Sequence, residues 1–174
     1  MTILVGYASA HGSTEEISRR IAGILQEQGG EVEVAAVEDV TDPAVFDAIV
    51  LGSAIHHQAW LPRASEFVHG HQDVLRDRPV WLFSVGMSGG LPRWLRPSAR
   101  AAQDRRIARA LRDVVRPRGH HLFSGAASAE AFPRSSVLLM RVTGIRLGDY
   151  RDWAEVEAWA SGIARELRGL GYIG

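Results

Sequence analysis

The stretch "YASAHGSTEEISRRIA" (residues 7–22) decides how this chain folds. Before it, "TILVGYA" (residues 2–8) is a short apolar run ending in small residues, the pattern of a strand buried on both faces. After it, Ile17, Ile21, Ile24, Leu25 and Gln28 recur at spacings of three and four until Gly29 and Gly30 end the pattern. A strand therefore runs through a loop of small and hydroxyl residues directly into a helix. Ser13 and Glu16 form an S-x-x-E capping box, which would account for one hydroxyl at the helix start. Ser9, Gly12 and Thr14 exceed that need. At a helix start the first backbone N–H groups lack partners and the helix dipole favours an anion, so the extra hydroxyls suit a cradle for a phosphate.

The same alternation continues along the chain. "EVEVAAV" (31–37) alternates and "DAIVLGS" (47–53) is a continuous apolar run, giving a second and a third strand. "LPRASEFVHGHQDVL" (61–75) reads as a helix, "PVWLFSVG" (79–86) as a fourth strand, "SARAAQDRRIARALRDVV" (98–115) as a helix and "HHLFSGAA" (120–127) as a fifth strand. A last helix runs from Trp153 to about Leu167, its apolar stripe formed by Trp153, Val156, Trp159, Ala160, Ile163 and Leu167, with Asp152 and Glu155 as a capping box. Strands alternating with helices imply an α/β fold, a parallel sheet covered on both sides. The connection at about 129–150 is too long for an ordinary loop. A short helix over 135–145 is expected there, and Arg134, Arg141 and Arg146 around "VLLM" suit contact with an anionic lipid surface.

Composition narrows the chemistry. The 174 residues, 46% hydrophobic, suit one domain over 1–174 with a proper core. A formal net charge of zero offers no global field for nucleic acid. The absence of cysteine excludes disulfides, thiolate metal sites and thiol nucleophiles. All twenty basic residues are arginine, which excludes a Schiff-base or Walker-type lysine. No basic leader or 18-residue apolar span is present, which predicts a cytoplasmic protein, with peripheral contact at the inner membrane face left open. The histidines predict no metal site. His69 and His71 are two apart on a helix, His120 and His121 point to opposite sides of a strand, and His56 and His57 lack a third ligand nearby.

The phosphate loop lacks both G-x-x-x-x-G-K-[ST] and G-x-G-x-x-G. A strand, then S-x-x-G-S-T, then an Ile-spaced helix resembles the FMN phosphate loop of flavodoxin-like proteins. The resemblance covers essentially the whole chain and implies a three-layer sandwich around a five-stranded parallel sheet of order 2-1-3-4-5, with FMN at the carboxyl ends of the strands. By that resemblance Ser9, Ala10, His11, Gly12, Ser13 and Thr14 would bind the FMN phosphate. Ser53, Ala54, Ile55, His56 and His57 would border the ribityl chain and ring, and Ser84, Val85, Gly86, Met87, Ser88, Gly89 and Gly90 would line the other side. "VLGSAI", "FSV", the long connection after the fifth strand and "YRDWAEVEAWA" resemble, more narrowly, the menaquinone-dependent protoporphyrinogen oxidase branch.

Charge gives a separate argument. Residues 53–65 and 84–103 contain no Asp or Glu but carry His56, His57, Arg63, Arg93, Arg96 and Arg100. Such a rim would raise the potential of a bound flavin, with about 1.4 kcal/mol for each 30 mV of a two-electron couple, and would attract an anionic substrate. These arginines could equally be solvated or paired with acids elsewhere. His56 and His57 are the candidate catalytic proton carriers. The reading this favours is an FMN-dependent oxidoreductase passing electrons from an anionic organic substrate to a quinone or similar acceptor. Two alternatives stay open: an electron carrier with a redox-protein partner, and a flavodoxin-like domain without FMN acting in binding or assembly. Oligomeric state, a homodimer included, is left open.

Overall fold

The computed structural model describes residues 2–86, 111, 113–127 and 148–173. Strand β1 (Thr2–Ala8) is followed by helix α1 (Ser13–Glu27) and strand β2 (Glu31–Ala36). Strand β3 (Ala48–His56) turns back as the two-residue strand β4 (Ala59–Trp60), then come helices α2 (Pro62–Gly70) and α3 (Gln72–Asp77) and strand β5 (Val80–Gly86). Strand β6 (Gly119–Ser124), the short strands β7 (Ala126–Ala127) and β8 (Gly148–Asp149), and helix α4 (Trp153–Gly169) complete the described elements.

The sheet runs β2-β1-β3-β5-β6, and these five strands pair in parallel throughout. Counted among parallel strands this is the expected order 2-1-3-4-5. The added piece is β4, antiparallel to β3. The chain reverses direction across the sheet between β1 and β3, so the loops leaving those strands diverge and open a crevice at their carboxyl ends.

Each face of the sheet is sealed by its own apolar cluster. On one, Ile3, Val5, Val50, Trp81, Phe83 and Phe123 meet Ile17, Ile21 and Leu25 of α1 and Val156, Ala160, Ile163 and Leu167 of α4. On the other, Leu4, Ile49, Leu51 and Leu82 meet Trp60, Ala64, Phe67, Val68, Leu75, Leu111 and Val115. Each fully buried aliphatic side chain contributes about 1.5–3 kcal/mol relative to exposure, so the stripes of α1 and α4 hold those helices down. Close packing also dictates one glycine. A Cβ on Gly52 would lie 1.9 Å from Cζ of Phe83, so the ring lies flat over the β3 backbone where no side chain fits.

Three local expectations change. The helix read over 61–75 is two helices, because the chain breaks at His71 (φ −117°, ψ 22°), which also takes His69 and His71 off a common helix. Trp153 is 37% exposed rather than part of the buried stripe of α4, because it stands at the first position of the helix, where Arg151 covers its ring at 4.8 Å. Asp152 caps α4 by accepting from Glu155 N at 3.1 Å, as expected, and the Glu155 carboxylate also meets His121 at 3.0 Å. The Ser13–Glu16 box does not form. The cap of α1 is Gly12, in the left-handed conformation at φ 87° and with no side-chain cap bond, while Glu16 pairs with Arg151 at 2.5 Å. The helix expected over 135–145 and Arg134, Arg141 and Arg146 lie outside the described residues. So does most of the helix expected over 98–115, although Leu111 and 113–115 are helical. No described helix is long and apolar enough to cross a membrane.

Candidate functional site

The loops leaving β1, β3, β5 and β6 converge on one cleft. It is lined by Ala10, His11 and Ser13 from the first loop, Ala54, Ile55 and His56 from the second, Val85 and Gly86 from the third, and Gly125 and Ala126 from the fourth. Its cavity volume is about 70 Å³, and it is open to solvent on one side. The lining is mostly apolar or backbone, which suits a flat aromatic ring with a few polar edge groups.

The first loop is held from within by the Ser9 hydroxyl, which accepts from Gly12 N at 2.9 Å. That bond and the positive φ of Gly12 form the tight turn that starts α1, and glycine is the residue that turns so at no steric cost. Thr14 is fully buried, and its Oγ1 is the one buried side-chain polar atom without a hydrogen-bond partner among the described residues. A helix start without a side-chain cap and a buried hydroxyl without a partner each leave bonding capacity that an anion would take up, at a cost of about 1–3 kcal/mol for the hydroxyl if nothing does. From outside the loop, the Arg63 guanidinium donates to the Ser9 carbonyl.

The second loop is built differently. His56 and Ala59 are paired across a two-residue turn, His57 (φ 49°) and Gln58 (φ 63°), both in the left-handed region. Two non-glycine residues in succession there store backbone strain. The rings of His56 and His57 stand edge to face at 4.2 Å. Beneath the turn, Trp60 Nε1 donates to Ser84 Oγ at 2.7 Å, and Ser84 Oγ bonds His120 Nε2 at 2.8 Å. Ser53 Oγ donates to the Ala54 carbonyl at 2.9 Å and accepts from Leu61 N at 3.1 Å. The hydroxyls of Ser53 and Ser84, two residues expected at the flavin, thus fix this loop to the sheet.

Gly125 and Ala126 were not singled out from the sequence. Gly125 N donates to Gly86 O at 2.8 Å, and a Cβ on Gly125 would come within 2.8 Å of Val85 Cγ1 and 3.3 Å of Ser13 Oγ. The fourth loop thus approaches the other three only because it begins with glycine. The small residues "SGAA" after an apolar strand are the signal, as in the other loops.

One arginine of the expected positive rim is paired. Arg63 forms an ion pair with Glu38 at 3.0 Å, an acid from outside the loops counted. Arg93, Arg96 and Arg100, with Met87, Ser88, Gly89 and Gly90, lie outside the described residues. Beside the first turn of α1, Arg151 holds Asp149 through Nε–Oδ1 at 2.9 Å and Nη2–Oδ2 at 2.6 Å, which keeps the Asp149 carboxyl below its ordinary range. Hydrogen bonding to Asp149, more than to Glu16, likewise raises the Arg151 guanidinium above its usual value.

The model of the family described as flavodoxin domain matches residues 4–143, more than half of the chain. The chain belongs to the flavodoxin domain family. Membership supports an FMN-type redox function. Flavodoxin-like folds of similar extent include a cysteine-to-serine mutant of flavodoxin from Pseudomonas aeruginosa, at 14% identity and TM-score 0.63, covering 97% of this chain and 99% of that one. A flavodoxin from the domain Archaea matches at 16% identity and TM-score 0.54, covering 97% and 99%. The rubredoxin oxygen:oxidoreductase of Desulfovibrio gigas matches at 13% identity and TM-score 0.58, covering 97% of this chain. The present chain spans only 36% of the length of that oxidoreductase.

Proposed function

We propose that the chain is an FMN-dependent oxidoreductase of the menaquinone-dependent protoporphyrinogen oxidase type, passing electrons from an anionic organic substrate to a quinone or similar acceptor. The observation that carries the FMN assignment is the partnerless, fully buried hydroxyl of Thr14 beside the uncapped start of α1. Ser9, Gly12, Ser13 and Thr14 would hold the phosphate, with Ala10 and His11 completing the loop. Ala54, Ile55 and His56 on one side and Val85 and Gly86 on the other would border the ring. FMN, when bound, supplies the two-electron chemistry. The apolar walls exclude water, and His56, which lines the cleft, is the proton carrier. Arg63 would draw the anionic substrate to the rim.

The oxidase branch rests on "VLGSAI", on "YRDWAEVEAWA" and on the long connection whose two ends pair as β7 and β8 next to the cleft. A second reading, an electron carrier serving a redox-protein partner, is favoured by the Arg63–Glu38 pair, which offsets positive charge at the rim. The test is reconstitution with FMN followed by assay of porphyrinogen oxidation with a menaquinone analogue. Flavin binding with turnover supports the oxidase. Flavin binding without turnover would sink it in favour of the carrier, and protein that gains no visible absorbance on FMN titration would leave only a binding or assembly role.

A further inference from the structure

We propose that Arg151 is a positioning residue for the phosphate loop, neutralising Glu16 in the first turn of α1 and tying that turn to the wall of the cleft; the role rests on the FMN reading above. Every face of this guanidinium is engaged. Nε and Nη2 grip Asp149, Nη1 meets Glu16 Oε2 at 2.5 Å, and the plane covers the ring of Trp153 at 4.8 Å. Its side chain is 12% exposed, whereas Glu16 and Asp149 are 59% and 52% exposed, so the cation is the fixed member of the group.

Two contacts link this cluster to the site. Glu16 N donates to the Gly12 carbonyl at 3.0 Å, placing Glu16 one turn from the loop cap. Tyr150 N donates to the Gly125 carbonyl at 3.3 Å, and Gly125 sits against Ser13 Oγ. Arg151 thus closes a ring of contacts running through α1, the phosphate loop, Gly125 and Tyr150. Its electrostatic purpose follows from the charges. α1 places Glu15 and Glu16 in its first turn, where acids favour the helix dipole but oppose a phosphate dianion at the same end. Glu15 is engaged by Arg19 at 2.8 Å, which leaves Glu16 to Arg151. The loop carries no arginine of its own; Arg63 reaches its Ser9 carbonyl from outside, and the cation at the first turn of α1, Arg151, comes from 135 residues away.

The test compares FMN with riboflavin, which lacks the phosphate, by fluorescence quenching on the full chain. R151Q is expected to weaken FMN about fivefold while riboflavin affinity holds, and E16Q in that background to restore most of the loss. Glu16 is half exposed, so E16Q alone leaves the fold intact, and it should strengthen FMN about twofold without changing riboflavin. Equal loss of both flavins in R151Q would reduce Arg151 to a structural staple and overturn the proposal. So would an unchanged ratio of FMN to riboflavin affinity in E16Q, which decides the matter if R151Q does not fold. Wild-type protein that binds the two flavins equally would instead overturn the FMN reading, and this role with it.

Discussion

Thr14 and Ser84 are both fully buried hydroxyl residues on the carboxyl-end side of the sheet, and the fold treats them in opposite ways. Ser84 Oγ is bonded on two sides, to Trp60 and to His120, and with Ser53 it fixes the β3–β4 hairpin to the sheet. Thr14 Oγ1 has no partner, at a helix start that has no side-chain cap. Burying an unmade hydrogen bond costs about 1–3 kcal/mol, so the difference separates polar groups that build the cleft from one that the fold leaves without a partner, a contrast the proposed phosphate role would explain.

That contrast is exposed to mutation, beginning with the hairpin side. Gly52→Ala should do the most damage, since the new Cβ meets the buried Phe83 ring at 1.9 Å. A loss of about 3 kcal/mol is expected from overpacking, seen as a fall in thermal midpoint of roughly 6–12 °C. A melt unchanged by this substitution would mean that Phe83 is free to move off β3. Ser84→Ala comes next. It strands the Trp60 N–H and breaks the bond to His120 Nε2, so about 2 kcal/mol of stability should go while the preference for FMN over riboflavin stays. If that preference vanished instead, Ser84 would belong to the ligand site and the contrast with Thr14 would fail.

A smaller effect is expected at Asp149. Arg151 lowers its carboxyl from the ordinary 3.8, so the pair contributes stability that is present above the unfolded pKa and is lost as pH falls through the folded one. Wild type should therefore exceed D149N in stability near neutral pH, by a modest margin because Asp149 is half exposed, and denaturant curves of the two should converge as pH drops below about 4. A margin that persisted in acid would show that charge is not what holds the pair.

Much of this architecture was readable from the chain because strands buried on both faces print as continuous apolar runs, and α1 prints as Ile17, Ile21, Ile24 and Leu25. What was not readable has a common cause. Glu16 looked like half of a local capping box, yet its partner is Arg151, 135 residues on, and no local pattern can reveal that competition. Ser53 and Ser84 looked like flavin contacts because they end strands three and four, but Trp60, brought back by a turn of two left-handed residues, claims one of them. The partner of Arg63 was not legible because the loops around it contain no acid, and Glu38 comes from the segment after β2. Gly125 escaped notice because its closeness to Ser13 exists only once four loops converge. The strand, turn and helix start of the first loop were legible because they are contiguous.

The most direct measurement is a titration of wild type and Thr14→Val with FMN and with riboflavin, followed by visible absorbance and fluorescence quenching. The substitution keeps the shape of the side chain and removes only the partnerless hydroxyl, so stability should stay within about 1 kcal/mol of wild type. FMN affinity should fall about tenfold and riboflavin affinity should not move. Unchanged FMN affinity, or an equal loss for both flavins, would contradict the assignment of Thr14 and its loop to a phosphate.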